Sequence, residues 1–503
     1  MTVQATPAPA RLDLPGHRSD RAELTVALAI IAVATLARIL FLTTAHLELD
    51  FEEAQYWYWA QHPAWGYFSK PPLIAWLIGA TTFLFGDGEA AVRLASPLLH
   101  GAVALAILGI GRRLGGARLG TWSALAYLTL PGTSISTALI TTDPPLLFLW
   151  AGALYCLIRR RDGGGMIWSC GLGLALGLGL LAKYAMIYFV LCTIIYLLAD
   201  GAARRRFAMR DGLVVLAVAA ICIAPNVAWN LSNGFVTLRH TADNADVHGI
   251  ALDLREIGNF FGSQLGLMGP GLFILFVYAL FMGRVPQGGS PDNRRLLLCF
   301  SLPIFLLILV EAVLSRAHAN WAAPAFVAAL VLAVEVGLRI RWRWWLPTAV
   351  TFHAAIAVII CAALAAVPVL TLPSGKLVEI GSRFRGWSEL GDKVAAALRE
   401  SPGSVLLGDQ RPLLAYLAYY ARPTPDGVVE WNPPGGAIDD QFKLTTRLEA
   451  DSPGPFVFLA TYPSPPLLAR FASVSPAQEI VIRPAPGIER RYWLYRLRDF
   501  RGY

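Results

Sequence analysis

About eleven apolar runs between residues 23 and 367, joined by short arginine-rich or acid-rich connections, leave this chain few folds to adopt. A helix needs roughly 20 apolar residues to cross a bilayer. Lipid offers the backbone no hydrogen-bond partners, so only helices or closed barrels span it. The runs cover 23–43, 90–111, 117–133, 141–158, 166–182, 184–199, 212–230, 260–283, 295–314, 321–338 and 345–367. Their length predicts helices. The chain is 56% hydrophobic and 15% charged, a balance that fits a polytopic membrane bundle and not a soluble enzyme.

The charges orient the bundle. Arg11, Arg18 and Arg21 precede the first run, and Arg112, Arg113 and Arg118 lie between the second and third. Arg159–Arg161, Arg204–Arg206, Arg284 with Arg294 and Arg295, and Arg339 with Arg341 and Arg343 follow at later turns. Every cluster falls on one side if the N-terminus is cytoplasmic, as the positive-inside rule requires. The net charge of +8 therefore serves topology, and nucleic acid is not an expected partner. The six cysteines lie in or beside apolar runs and suggest no disulfide framework.

The opposite, outer side then holds 44–89, the turn at 141–145, the loop 231–259, the loop 315–320 and everything beyond about 370. Residues 1–22, rich in Pro and Ala, are expected to form a disordered cytoplasmic segment. The apolar segment 72–86 is too short to span and is expected as an interfacial or re-entrant helix in the first outer loop. From 371 to 503 proline and charge rise. Strands are predicted at 404–409, 456–460, 479–482 and 492–497, and a helix at 412–420, giving a small α/β extramembrane domain. The membrane domain proper is assigned to 23–370.

Chemistry concentrates in the first outer loop. Asp50, Glu52 and Glu53 fall within four residues, among Tyr56 and other aromatics, and acids near a bilayer are costly unless a site or water needs them. They could act as a general base or simply favour a helix N-terminus. Lys70 precedes Pro71-Pro72, which hold it out of helix. It could neutralise a phosphate or snorkel to the interface, and Arg93 admits the same two readings. Asp143, before two prolines, is either a turn former or a second site acid. His240 with Asp243, Asp246 and His248, and His318 with Asn320, are sparse polar groups on outer loops without metal-binding spacing. Asp409, Arg411 and Trp431 are candidate contacts in the C-terminal region, or structural residues there. No phosphate-binding loop, dinucleotide fingerprint or nucleophile elbow is present.

Glu52-Glu53-Ala-Gln-Tyr-Trp57 followed by Gly66-Tyr-Phe-Ser-Lys-Pro-Pro-Leu-Ile-Ala-Trp76 resembles the first outer loop of the GT-C integral-membrane glycosyltransferases. The likeness is to the protein-mannosyltransferase and aminoarabinose-to-lipid A transferase groups. Thr142-Asp143, Trp229-Asn230, His240 and His318-Ala-Asn-Trp321 also match, so the resemblance covers roughly 25–370. It implies a sugar donor on polyprenyl phosphate and a glycolipid or glycan acceptor at the periplasmic face of the bacterial inner membrane, lipid A being preferred and protein Ser/Thr the alternative. It further implies Glu52 at the catalytic acid position, Asp143 as the second acid and Lys70 on the donor phosphate. Tyr56, Tyr67, His240, His318 and Asn320 are candidate substrate contacts. The leading Asp of those families is Glu52 here, so Asp50 or Glu53 could be the base instead. Ser69 and Gln55 replace a Glu and an Arg of the aminoarabinose transferases, which argues against a metal held through that Glu and against that same sugar. A divalent cation stays open. The competing function is a transporter or flippase of lipid-linked sugars, which would place its ionisable groups at mid-membrane on broken helices.

Overall fold

The computed structural model describes residues 17–243, 254–281, 291–314, 318–367, 381–424, 427–452, 454–463 and 465–503. Helix α1 (His17–Thr44) leads into an outer loop that carries α2 (Phe51–Gln61), α3 (Leu73–Phe85) and α4 (Glu89–Arg93). Then comes α5 (Ala95–Thr129), and the membrane region continues through Asp143–Arg161, Ile167–Ala182, Ile187–Ala199, Met209–Ser232, Leu254–Met268, Pro270–Phe281, Pro291–Cys299, Leu302–Leu314, Ala323–Arg339 and Trp345–Ala366. Each expected apolar run coincides with helix. Among the described residues, six helices are long and apolar enough to cross a membrane, or seven if one bent pair is a single span.

Helix α5 is not one rod. Gly115 and Gly116 leave helical backbone geometry, Gly116 at φ +87°. A Cβ built on Gly111 would sit 2.6 Å from Gly120 Cα. Nine residues of straight helix would separate those positions by about 13 Å, so the chain reverses and the two halves run antiparallel. Only glycine permits so close a backbone approach. The reversal keeps 90–111 and 117–133 as separate passes.

Two expectations need correction. The run 260–283 is not a straight span: Arg255–Met268 and Pro270–Phe281 meet at 114°. Gly269 turns the corner at φ +80°, and its Cβ would fall 2.2 Å from the His353 ring, so no larger residue fits. The second concerns 1–22, expected to be disordered throughout. Helix α1 already begins at His17, because Asp20 to Glu23 continue its polar first turns into the apolar run; residues 1–16 lie outside those described. Helix α3, 13 residues and so about 20 Å long, is too short to span, in keeping with an interfacial helix.

The arginine-rich turns gather at one end. Arg160 pairs with Asp211 through two bonds of 2.7 and 2.8 Å, Arg295 reaches Asp200 at 3.4 Å, and Asn293 donates to the Leu114 carbonyl. At the other end lie the first outer loop, the Asp143 and Lys183 helix ends, and the C-terminal domain.

That domain is a mixed sheet of β1 (Val405–Gly408), β2 (Val428–Glu430), β3 (Phe456–Ala460), β4 (Phe471–Val474), β5 (Gln478–Ala485) and β6 (Ile488–Phe500), in the order β2-β1-β3-β6-β4 with β5 also on β6. Strands β1, β2 and β3 are parallel; β6 is antiparallel to its neighbours. Helices Trp387–Glu400 and Arg411–Tyr420 cover one face. The second lies on α2, with Trp57 edge-on to Tyr419 at 5.0 Å. A single apolar core therefore runs from Trp57, Ile74 and Ile78 of the outer loop to Leu414, Leu406 and Ile480 of the sheet. Its burial, at about 25 cal/mol per Å² of apolar area, holds the sheet domain against the loop that carries the acids. Polar ties reinforce it: Tyr420 Oη accepts from Leu49 N–H at 2.6 Å, and Gln441 Oε1 accepts from Phe68 N–H at 2.7 Å.

Candidate active site

Helix α2 sorts the three acids. Asp50 is its N-cap in extended conformation and accepts from the Glu52 N–H, while Glu53 Oε2 accepts from the Asp50 N–H. This reciprocal capping satisfies donors that a helix start leaves open. Glu53 turns inward, where Arg93 meets it at 2.6 and 2.9 Å and the Ile140 N–H donates at 2.8 Å. Glu52, one residue away and so about 100° round the helix, faces elsewhere. Its side chain has no hydrogen bond or ion pair among the described residues. Tyr56, one turn on, shares that face, and its hydroxyl is likewise unpartnered. Burial pushes the Tyr56 phenol up, with Glu52, Arg411 and Asp143 acting on it in turn.

Four candidate residues meet a different geometry. Arg93, read as a phosphate contact or a snorkelling cation, and Glu53, an alternative to Glu52 as the base, instead pair with each other. Four of the five N–H donors of a guanidinium are used on Arg93, by Glu53 twice and by the Leu47 and Glu48 carbonyls. Tyr67, expected as a substrate contact, donates to the Trp59 and His62 carbonyls, accepts from Ala64 N–H and stacks on Trp59 at 4.6 Å. It builds the loop. Asp50 is occupied as a cap, and burial raises its carboxyl.

The same loop presents Lys70. Tyr67 N–H donates to the Lys70 carbonyl, closing a tight turn, and the Trp229 ring lies against Gly66, where a Cβ would come within 2.4 Å of it. Asn226 donates to the Trp65 carbonyl at 2.6 Å, and Thr237 Oγ1 to the Tyr67 carbonyl at 2.7 Å. Thus the helix bearing Trp229-Asn230 positions the lysine turn. The Lys70 ammonium has no partner among the described residues. Burial pushes it down, Glu52 and then Asp143 favour its charge, and Lys183 and Arg411 oppose it.

Asp143 opens its helix at the same end. It accepts from Lys183 Nζ at 2.7 Å and from Asn320 Nδ2 at 2.5 Å. Lys183 was missed in the sequence, although a lone cation between two apolar runs on the outer side is a readable signal. Asn320 therefore reaches the site through Asp143. His318 is exposed, with its ring tilted against Trp321 at 5.1 Å, and joins no polar cluster among the described residues. His240 lies 5.2 Å from the Phe68 ring, its imidazole pushed down first by burial and then by Lys70 and Arg411. Asp246 and His248 lie outside the described residues. Of the C-terminal candidates, Trp431 packs on Phe500 and Tyr503 within its own domain, whereas Arg411 stands over the Phe51 ring at 5.2 Å. No group of three His, Cys, Asp or Glu converges among the described residues.

Beside Lys70 opens a cavity of about 360 Å³, lined by Lys70, Lys183, Tyr184, Ile187, Tyr188 and Trp321 among others. Its two cations and apolar residues suit an amphiphile with an anionic head, although Glu311 also lines it. Glu52 and Lys70, neither with a hydrogen bond or ion pair among the described residues, thus lie within electrostatic reach of each other, with Lys70 on the cavity wall.

The dolichyl-phosphate-mannose-protein mannosyltransferase profile matches residues 69–229. Lipid A galacturonosyltransferase RgtD of Rhizobium johnstonii is 34% identical over 86% of this chain and 90% of its own. The chain is a GT-C glycosyltransferase. Within this family, an undecaprenyl phosphate-aminoarabinose arabinosyl transferase of Pseudomonas fluorescens is 32% identical over 32% of this chain and 29% of its own. The fold matches ArnT from Cupriavidus metallidurans with TM-score 0.65 at 18% identity, over 95% of this chain and 98% of ArnT; that protein is also known bound to undecaprenyl phosphate. This GT-C enzyme is therefore a polytopic bacterial membrane protein with the ArnT-type architecture of a helical bundle plus sheet domain.

Proposed function

We propose that this glycosyltransferase moves a uronic acid residue from a polyprenyl-phosphate donor to lipid A or a related envelope glycolipid, at the periplasmic face of the inner membrane. The sugar and acceptor are suggested by the relative of 34% identity, RgtD, whose name specifies both. The side of the membrane follows from the arginine clusters gathered at the opposite end. The observation that carries the chemistry is that Glu52 and Lys70 act on each other electrostatically while neither has a hydrogen bond or ion pair among the described residues, and Lys70 lines an apolar cavity.

Glu52 takes the proton from an acceptor hydroxyl as its oxygen attacks the anomeric carbon. The bond from that carbon to the phosphate oxygen breaks on the far side, inverting the centre. Lys70 and Lys183 stabilise the charge gathering on the departing lipid phosphate, an electrostatic role realised most fully in the transition state. Asp143, held by Lys183 and Asn320, fixes the second cation in place. The apolar walls at Ile187 and Tyr188 receive the first isoprene units.

Glu52→Gln tests the assignment. Removing a general base typically slows turnover by about 10² to 10⁴-fold, while α2 and its cap stay intact because only the backbone N–H of Glu52, not its side chain, bonds to the Asp50 cap. Wild-type turnover in purified Glu52→Gln protein would rule Glu52 out as the base.

A further inference from the structure

We propose that Arg411, carried by the C-terminal domain, recognises the carboxylate of the transferred sugar and so selects a uronic acid over a neutral one; this rests on the transferase reading above. The residue opens the helix Arg411–Tyr420, directly after the carboxyl end of β1. In open α/β sheets, ligand groups gather outside the carboxyl ends of parallel strands. Here that end is brought to the membrane-domain site because the same helix packs on α2 through Trp57 and Tyr419.

The guanidinium stacks over Phe51, the first residue of α2 and the neighbour of Glu52, at 5.2 Å. It makes no hydrogen bond or ion pair among the described residues, although Asp409 is only two residues away. Its charge reaches Tyr56, Lys70 and His240, which lie on the outer loop and on helix Val236–Asp243. A half-buried arginine without an acid is an unfilled anion site. The ring contact occupies none of the guanidinium N–H groups with a hydrogen bond, and a guanidinium matches a carboxylate with two parallel bonds.

Lys70, also without a hydrogen bond or ion pair among the described residues, is assigned above to the donor phosphate. Lys183 is matched by Asp143. One anion is therefore still required beside Glu52, within a sugar's width of the reacting carbon. The carboxylate at C5 of a uronic acid, joined through the ring to the anomeric carbon, supplies a planar anion there. A phosphate on the glycolipid acceptor is the other source of negative charge, and the assay separates the two.

The experiment uses the full-length protein in lipid nanodiscs, lipid A as acceptor, and two donors, undecaprenyl phosphate-linked galacturonate and galactose. Wild type, Arg411→Ala and Arg411→Lys are compared. The galacturonate-to-galactose ratio of kcat/KM falls in Arg411→Ala by about 10 to 100-fold, the range for losing a charge-assisted hydrogen-bond pair. Arg411→Lys, which keeps the charge but not the fork, recovers part of it. An unchanged ratio in Arg411→Ala overturns the proposal, as does a rise in acceptor KM with the donor ratio intact, which places the anion on the acceptor. A wild-type protein idle on both donors would instead overturn the transferase reading itself. Unfolded Arg411→Ala leaves Arg411→Lys to decide, by whether its ratio falls.

Discussion

Glu53 and Arg93 close a two-bonded ion pair at 2.6 and 2.9 Å, with both side chains only 3% exposed. The pair joins α2 to α4, and through Ile140 it reaches the start of the helix bearing Asp143. It therefore fixes the frame on which Glu52 and Asp143 stand. Removing one member leaves a buried charge unmatched, at a cost of about 3–5 kcal/mol. Arg93→Ala and Glu53→Gln should each lower the thermal unfolding temperature in detergent and the yield of monodisperse protein. A well-folded but inactive Glu53→Gln protein would return Glu53 to the list of reacting groups.

The two lysines at the groove are predicted to fail in different ways. Lys70 has no partner to strand, so Lys70→Ala should preserve stability while cutting kcat/KM for the donor by about 10 to 100-fold. Lys183→Ala strands Asp143 and should lower both activity and stability. Adding Asp143→Asn to Lys183→Ala should recover the unfolding temperature without the activity. Thermal scans beside donor titrations make the distinction.

Lys70 also sets a pH dependence. Burial and the neighbouring cations lower its affinity for the proton, so the ammonium is lost at a lower pH than in free lysine. Donor KM should accordingly be flat near neutrality and rise on the alkaline side, beginning below the ordinary lysine value of 10.5. A Lys70→Arg protein should push that rise to higher pH. A donor KM profile identical in the two proteins would contradict this.

Gly66 tests how the lysine turn is held. Its missing Cβ leaves room for the Trp229 ring. Gly66→Ala forces that ring aside, an overpacking change that typically costs about 1–3 kcal/mol. Trp229→Leu, which empties the space, should partly restore activity when combined with Gly66→Ala. The comparison is of the single and double variants in one transfer assay.

In the sheet domain Glu430 is fully buried on β2, neither carboxylate oxygen finds a donor, and Asp440 lies beside it. Burial, and then the Asp440 charge, raise its carboxyl well above 4.5. The folded form thus keeps a proton that the unfolded form releases, so stability is greatest at low pH and declines as pH rises through the folded-state range. Raising the pH from about 5 to about 9 should lower the unfolding temperature, and Glu430→Gln should flatten that slope by supplying a neutral donor to Asp440. An equal slope in the two proteins would point to other groups.

The C-terminal strands at 456–460 and 479–482 were legible because β-branched and aromatic residues cluster there between turn residues. Strands β2 and β4, only three and four residues long, were not, nor was the amphipathic helix Trp387–Glu400 despite Gly386 before it and Ser401-Pro402-Gly403 after it. In the site, the sequence signalled Lys70, Asp143 and the acid cluster by their chemistry. It could not rank Asp50, Glu52 and Glu53, since adjacent residues on a helix point about 100° apart and only packing shows which of them meets Arg93.

Periodicity and charge bias act through lipid on each segment separately, so the chain's own composition determined where the apolar helices lie and that the arginine-rich turns sit apart from the acid-rich loop. Pairing is a matter of distance between segments far apart in the chain. Tertiary structure alone decided that Glu53 is neutralised by Arg93, that Lys183 answers Asp143, and that Arg411 of a separate domain stands beside Glu52. The charges that find partners there hold the fold.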